Sequence, residues 1–275
     1  MMSEKVQLLG VGLYEHIPDE LTLHPLPTVS ELDYVGSEDF DKTMIEKILP
    51  QAIEEDIDCG ELLEIDYYWV CRCLRLFNYG PYFDTNAIFC KKCNTRSNGE
   101  YQVNLNTVEC KPLPAGFKNE IKISKDELID FDGEIIMKLP TIKLIQTAYN
   151  DKGFKKPDGT IDQEMARICY MIKSIDGNTA LIPVEIKKYI ENNLSSADYI
   201  ALRDIVNEKM DYGLRVSGAV QCPKCGNPDA RYIAMQDDRF FRPSVGNLRA
   251  WKHDKRAGET KDAPRSKAEI IRKHN

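Results

Sequence analysis

Histidine is scarce in this 275-residue chain. Four occur, His16, His24, His253 and His274, all towards the two ends, and none has a cysteine, serine or carboxylate at motif spacing. That removes the side chain most used for general acid–base work from the body of the protein. Phosphate- and cofactor-binding loops are missing too. There is no P-loop, dinucleotide fingerprint or nucleophile elbow, and Gly10-Val-Gly12 is too little to count as one. Carboxylates are so numerous that chance pairs carry no information. The expectation is a protein that is not an enzyme.

Long apolar runs are lacking as well. None approaches the roughly 18 to 20 residues needed to cross a bilayer, so no membrane partner is expected. The start, MMSEKVQLLGVGLYEHIPDE, has no basic region followed by a long apolar one, and no signal peptide is expected. The nine cysteines are then expected in a reducing compartment, where Cys-x-x-Cys pairs are more often metal knuckles than disulfides. Cations are nearly absent from the front of the chain. Residues 1–66 hold 3 Lys/Arg against 17 Asp/Glu, residues 67–238 balance, and residues 239–275 hold 11 against 4. The net charge of −7 therefore hides an acidic front and a basic tail, surfaces suited to charged partners or simply solvated.

Two Cys-x-x-Cys pairs stand out against this background: Cys90-Lys-Lys-Cys93-Asn94 and Cys222-Pro-Lys-Cys225-Gly226. Four thiolates at about 2.3 Å around Zn²⁺ make a closed structural site with no position left for water. Gly226 suits the sharp turn after the second sulfur of its pair, and Asn94 tolerates the same left-handed conformation. The 128 residues between the pairs are no obstacle, because loop-closure cost rises only logarithmically with length. The reading is a structural Zn²⁺ bound by Cys90, Cys93, Cys222 and Cys225. A site that has lost its metal, a redox pair, iron in place of zinc, and Cys110 as a substitute ligand remain alternatives. Cys59, Cys110 and Cys169 read most simply as buried small apolar residues, and Cys71 and Cys73 point to different faces of one helix and do not easily share a metal.

The pattern around the knuckles predicts an α+β fold. A four-Cys zinc-ribbon β core packs on a buried helix, with a helical insertion between the knuckles and extended N- and C-terminal segments. Residues 1–36 are expected as an extended acidic arm, with Leu21 and Leu23 among its few alternating apolar positions. Residues 37–112 are expected to hold helical segments and the first half of the ribbon. A helix starts at Ser37 and is kinked or ended by Pro50. The strongest helix, 61–80, is apolar on most sides and closed by Gly80. Strands NAIFC and EYQVNLNTVEC flank the first knuckle. Residues 113–213 carry two strands, 120–124 and 134–139, then helices over 141–150, 162–174, 183–193 and 196–210. The last is capped by Ser195 or Ser196. Residues 214–243 complete the ribbon, and residues 244–275 form a basic extended tail.

That tail interleaves Phe240, Phe241, Leu248 and Trp251 with Arg239, Arg242, Arg249 and Lys252. Phe240, Phe241, Arg242, Arg249 and Trp251 are candidate anchors for a protein partner. The same composition could bind nucleic acid through phosphates and stacked bases. The acidic body argues against a large nucleic-acid footprint. Phe240 and Phe241 could also pack back on the ribbon.

The ordered series "CLRLFNYG", "FCKKC", "CPKCG" and "FFRPS" resembles the T-even-type phage baseplate hub assembly protein family, over about residues 15–245. Arg75-Leu-Phe-Asn-Tyr-Gly80, the two knuckles and Phe240-Phe241-Arg-Pro243 carry it. The resemblance implies a non-enzymatic role in building a phage tail baseplate. Its implied partners are other tail or baseplate proteins and copies of itself. Its implied location is the virion tail, with the host cytoplasm during assembly. It also supports Cys90, Cys93, Cys222 and Cys225 as ligands. The long acidic arm and basic extension depart from it and suit a chain embedded among subunits. A zinc-ribbon nucleic-acid-binding protein is the rival.

Overall fold

The computed structural model describes residues 3–27, 39–85, 88–97, 101–215, 217–220, 222, 224–228, 230–233, 240–241 and 244–259. Helices and short strands are mixed along the chain. In order they are β1 (Glu4–Gln7), β2 (Glu20–Leu23) and α1, one helical run made of Phe40–Thr43, Met44–Ile48 and Leu49–Ala52. Then follow α2 (Glu64–Tyr79), β3 (Tyr82–Thr85), β4 (Ile88–Cys90), β5 (Thr95–Ser97), β6 (Tyr101–Asn104), β7 (Cys110–Lys111), β8 (Ile121–Ile123) and β9 (Ile135–Met137). The remainder are α3 (Ile142–Asn150), α4 (Gln163–Met171), β10 (Ile172–Ile175), α5 (Pro183–Asn193), α6 (Ser196–Lys209), β11 (Gly213–Leu214), β12 (Ser217–Val220), β13 (Ala230–Ile233) and α7 (Val245–Glu259). Among the described residues no helix is long and apolar enough to cross a membrane.

The chain divides into two compact units. The larger comprises Met1–Leu74 and Val108–Val216, the smaller Arg75–Thr107 and Ser217–Asn275. This partition corrects the expected domain bounds. Residues 113–213 lie in sequence between the two halves of the smaller unit but are not a module of their own. They share one hydrophobic core with Leu63 and Ile65 of α2, because the apolar stripes of that helix need partners that the short β-strands beside the knuckles are too small to supply.

Within the larger unit, β8, β9 and β10 form an antiparallel sheet in which Ile121 and Ile172 both pair with Met137, and Ile123 and Ile175 with Ile135. The two-residue period places these apolar side chains on one face, and all are buried. Helices α3, α4, α5 and α6 lie close to the four segments expected. Their starts follow local chemistry. Thr141 accepts from the Leu144 N–H and Asp162 from the Met165 N–H. Pro183 opens α5, where its missing N–H costs nothing. Ser195, not Ser196, caps α6 in a box with Asp198. The segment ending at Ser174 was expected as helix throughout. After Met171 it becomes β10, because Ile172 and Ile175 gain an open edge of β9.

The first residues differ from the expected arm. β1 and β2 pair antiparallel, Val6 opposite Leu21 and Glu4 opposite Leu23, and Val6, Leu8, Leu21 and Leu23 are buried. The stretch is held by Asp66 of α2. Its fully buried carboxylate accepts from the Leu9 N–H at 2.5 Å, the Gly10 N–H at 3.1 Å and the Tyr14 hydroxyl at 2.6 Å. Burial still raises that carboxyl above the usual range, so its donors are needed to keep the charge tolerable. In α1 the expected cap Ser37 lies outside the described residues, and Asp39 accepts from the Lys42 N–H. Pro50 does not end the run. A π-helical turn over Met44–Ile48 precedes it and accommodates the ring and the missing donor.

The smaller unit has a four-stranded sheet in the order β12-β13-β4-β5 and a separate β3–β6 pair. The segment EYQVNLNTVEC was expected as the strand leaving the first knuckle. That place belongs to β5, and β6 pairs instead with β3, Phe83 opposite Val103. Helix α7 replaces the expected extended tail over 245–259. Ser244 starts it, accepting from the Asn247 N–H at 3.2 Å, and the Asn247 side-chain amide donates to Asp84 at 2.7 Å. Gly80 closes α2 at φ +75°, as expected, and its bare Cα lies against the Trp251 ring, which any Cβ would meet at 2.3 Å. The fully buried Arg75 donates to the carbonyls of Gly80 and Tyr82 at 2.8 and 2.5 Å, fixing the turn into β3.

Candidate metal centre

Each Cys-x-x-Cys pair sits where a hairpin turns. β4 ends on Cys90, which pairs with Thr95 at the start of β5. The turn between them is reversed by Asn94 at φ +47°. On the other side, Cys222 follows β12. Its N–H donates to the Asn227 carbonyl at 2.7 Å, and its carbonyl accepts from the Gly226 N–H at 2.9 Å. Gly226 lies at φ +69°, a conformation without penalty only for a residue lacking Cβ. The pairing of β13 with β4, Arg231 opposite Phe89 and Tyr232 opposite Ile88, brings the two hairpins edge to edge with both knuckles at one end.

The four sulfurs converge as a result. Cys90 Sγ lies 3.6 Å from Cys225 Sγ, Cys93 Sγ lies 3.7 Å from Cys222 Sγ, and all four fall within 4.8 Å of one another. A tetrahedron with ligands about 2.3 Å from its centre has sulfurs about 3.8 Å apart. The spacing therefore fits one metal ion, and it is far too wide for disulfides, which hold their sulfurs about 2.05 Å apart. Four soft donors without a carboxylate or histidine suit zinc or iron rather than a hard cation. Cys90 and Cys222 are buried, Cys93 is half-buried and Cys225 is the most open. Every position of such a tetrahedron is filled by protein, which leaves no place for a substrate.

Electrostatics point the same way. The Cys93 backbone N–H and the Asn227 side chain hold the Cys90 thiol down at about 6. The Asn227 backbone N–H lowers Cys225, but burial and the sulfurs of Cys222, Cys90 and Cys93 outweigh it and push that thiol up to about 11. Sulfurs this close resist becoming anionic together unless a cation lies between them. Asn227 is the functional residue that spacing alone does not disclose. Its Nδ2 reaches Cys90 Sγ of the opposite knuckle at 3.6 Å; the only sequence signal is a polar residue directly after Cys-Gly. Asn227→Ala is expected to weaken metal affinity about tenfold, as losing an outer hydrogen bond to a ligand commonly does. Competition with a chromophoric chelator would measure it, and an unchanged affinity would assign Asn227 to turn geometry alone.

Other expected site residues fall differently. Cys110 lies in β7 and is outside the four-sulfur cluster, so it is not a substitute ligand. Burial pushes its thiol up to about 11, and those of Cys59 and Cys169 to about 12, as expected of inert core cysteines. Phe240 and Phe241, expected as partner anchors, are buried, with Phe240 edge-on to Phe83 at 5.5 Å and Phe241 at 5.0 Å from Phe240. Trp251 is spent on Gly80. Rings of this size are drawn into a small unit whose sheet alone offers little core. Arg249 is exposed; Arg242 and His274 lie outside the described residues. Comparison of the chain with protein-family models, with characterised proteins and with solved structures finds no match.

Proposed function

We propose that this protein is a non-enzymatic structural or assembly component of a phage tail baseplate, and that its smaller unit is a zinc ribbon stapled by Cys90, Cys93, Cys222 and Cys225. The observation that carries the reading is the convergence of four sulfurs from two hairpins 128 residues apart in sequence. When bound, the metal supplies no reaction. It closes a sheet of three- and four-residue strands that is too short to be stable unaided.

The baseplate assignment rests on the family resemblance, and the positions of its motif residues support it. Arg75 binds the Gly80 and Tyr82 carbonyls, Gly80 receives Trp251, both knuckles meet at one point, and Phe240 packs on Phe83. Pieces spread over some 165 residues thus build one compact unit, the pattern expected when a motif series defines a module rather than a reaction centre. The nucleic-acid rival loses two of its stacking rings, since Phe240 and Phe241 serve this unit's interior, while half-buried Trp251 lies against Gly80.

Two measurements test the reading. Elemental analysis of protein purified without added metal should find one zinc per chain, lost in Cys90→Ser. Antibody labelling of tails and baseplate intermediates should find the protein in one or both. Absence from every tail-related particle would refute the baseplate assignment while leaving the zinc assignment standing.

A further inference from the structure

Charge divides between the two units much as it does along the sequence, with residues 239–275 supplying +7 of the smaller unit's positive charge. The larger unit holds 20 Lys/Arg against 35 Asp/Glu, a net of −15, and the smaller holds 17 against 9, a net of +8. Outside residues 239–275 the smaller unit has, among its described residues, one local cluster of exposed cations. Lys91 and Lys92 lie between the sulfurs of the first knuckle and Lys224 between those of the second, and all three are exposed. Because the four sulfurs lie within 4.8 Å of one another, three exposed lysines are carried by the turns around a single point. None of them forms an ion pair among the described residues. The carboxylate of Asp84, in the same unit, is bound by Asn247. A divalent metal with four thiolates carries −2, which three lysines exceed.

The larger unit supplies the complement. Residues 53–56 run alongside β2. Leu23 bridges Ile53, the Glu54 N–H donates to the Thr22 carbonyl, and the Glu55 carboxylate accepts from the Thr22 N–H. Glu54, Glu55 and Asp56 therefore gather near Glu20. Lys5, on Glu20 at 2.7 Å, and His24, on Glu54 at 3.1 Å, are the basic groups held there.

We propose that the knuckle lysines of one molecule dock on this acidic face of a second copy of the chain, in a head-to-tail arrangement. A second copy offers the matching charge on a surface the chain itself carries, and complementary fields both speed and register such encounters. Nucleic acid fits less well. The attached unit at −15 repels phosphates, and Phe240 and Phe241, which would stack on bases, are buried. The inference rests on the assembly reading and names one partner within it. Metal content is measured separately, so failure here leaves the zinc assignment untouched.

Sedimentation velocity on the metal-loaded full chain tests it. Association is expected to rise with protein concentration and to weaken as salt rises, since the screening length falls to about 3 Å at 1 M. Lys91→Glu, Lys92→Glu and Lys224→Glu combined should lower the association constant at least about tenfold, as should Glu54→Lys with Asp56→Lys. Mixing the two variants should restore association, because each then offers the face that the other now needs. Zinc content and circular dichroism establish that both remain folded. A monomeric wild type at all concentrations would overturn the proposal, as would a mixture that fails to associate. So would salt-dependent compaction independent of concentration, which would place the contact inside one molecule, or lysine reversal that abolishes only oligonucleotide binding.

Discussion

Cys222→Ser is expected to loosen both knuckles of the smaller unit at once. Hydrogen exchange should speed up at residues 88–97 as well as at 217–233, even though the substitution lies on only one hairpin. The reason is that β13 and β4 pair over just two residue pairs, Arg231 with Phe89 and Tyr232 with Ile88, too short a ladder to hold without the staple. Zinc-finger peptides gain about 10–16 kcal/mol on binding metal near neutral pH. Loss of one ligand in four should therefore remove several kcal/mol, on the order of 3 or more, from this unit. Chelation of the wild type should give the same exchange pattern, while the β8–β9–β10 sheet of the larger unit keeps its protection. Unchanged exchange near Cys90 in the variant would show that the two knuckles do not share a metal.

Asp198→Ala should be the most damaging single change in the larger unit. This fully buried side chain accepts from the N–H groups of Ile129, Asp130 and Phe131 on one oxygen, at 2.8, 2.8 and 3.3 Å. On the other it accepts from the Ser195 N–H at 3.1 Å and hydroxyl at 2.8 Å. It caps α6 and ties that helix to a loop 67 to 69 residues earlier. Removing it leaves several donors without an acceptor, at a cost of about 2–4 kcal/mol. Asp198→Asn should cost less at neutral pH, because its carbonyl keeps the three loop donors while its amide faces Ser195.

The pH dependence follows with a definite sign. Burial alone would raise the Asp198 carboxyl; the donors from Asp130, Ser195 and Ile129 outweigh it and hold the group well below the usual carboxylate range. A folded-state value below the unfolded one, about 3.9, gives stability that is fully present above that pH and is lost as acid titrates the folded group. Urea midpoints should therefore fall between pH 5 and 2 more steeply for the wild type than for Asp198→Asn. Parallel curves would mean that the carboxylate gains nothing from its donors.

How much of this was readable in advance depends on the range of the forces involved. The four helices between the knuckles were legible because caps and apolar periods act within a few residues: Thr141, Asp162, Pro183 and Ser195 each start a helix through atoms no more than three positions away. The left-handed turns at Asn94 and Gly226 were legible for the same reason. The strand Ile172–Ile175 was not, since its apolar pattern suits a helix equally and only the open edge of β9 decides. The residues before Gly10 looked like an arm because Asp66, which gathers their backbone donors, lies more than fifty positions away.

The sequence by itself determined which four cysteines form the cluster that could hold a metal, the local turns around it and the placement of most helices, since thiol chemistry and backbone capping need no distant partner. Tertiary structure alone decided that Phe240 and Phe241 are core instead of contact surface, because burial depends on which distant faces meet. It alone showed that Asn227 reaches across to Cys90.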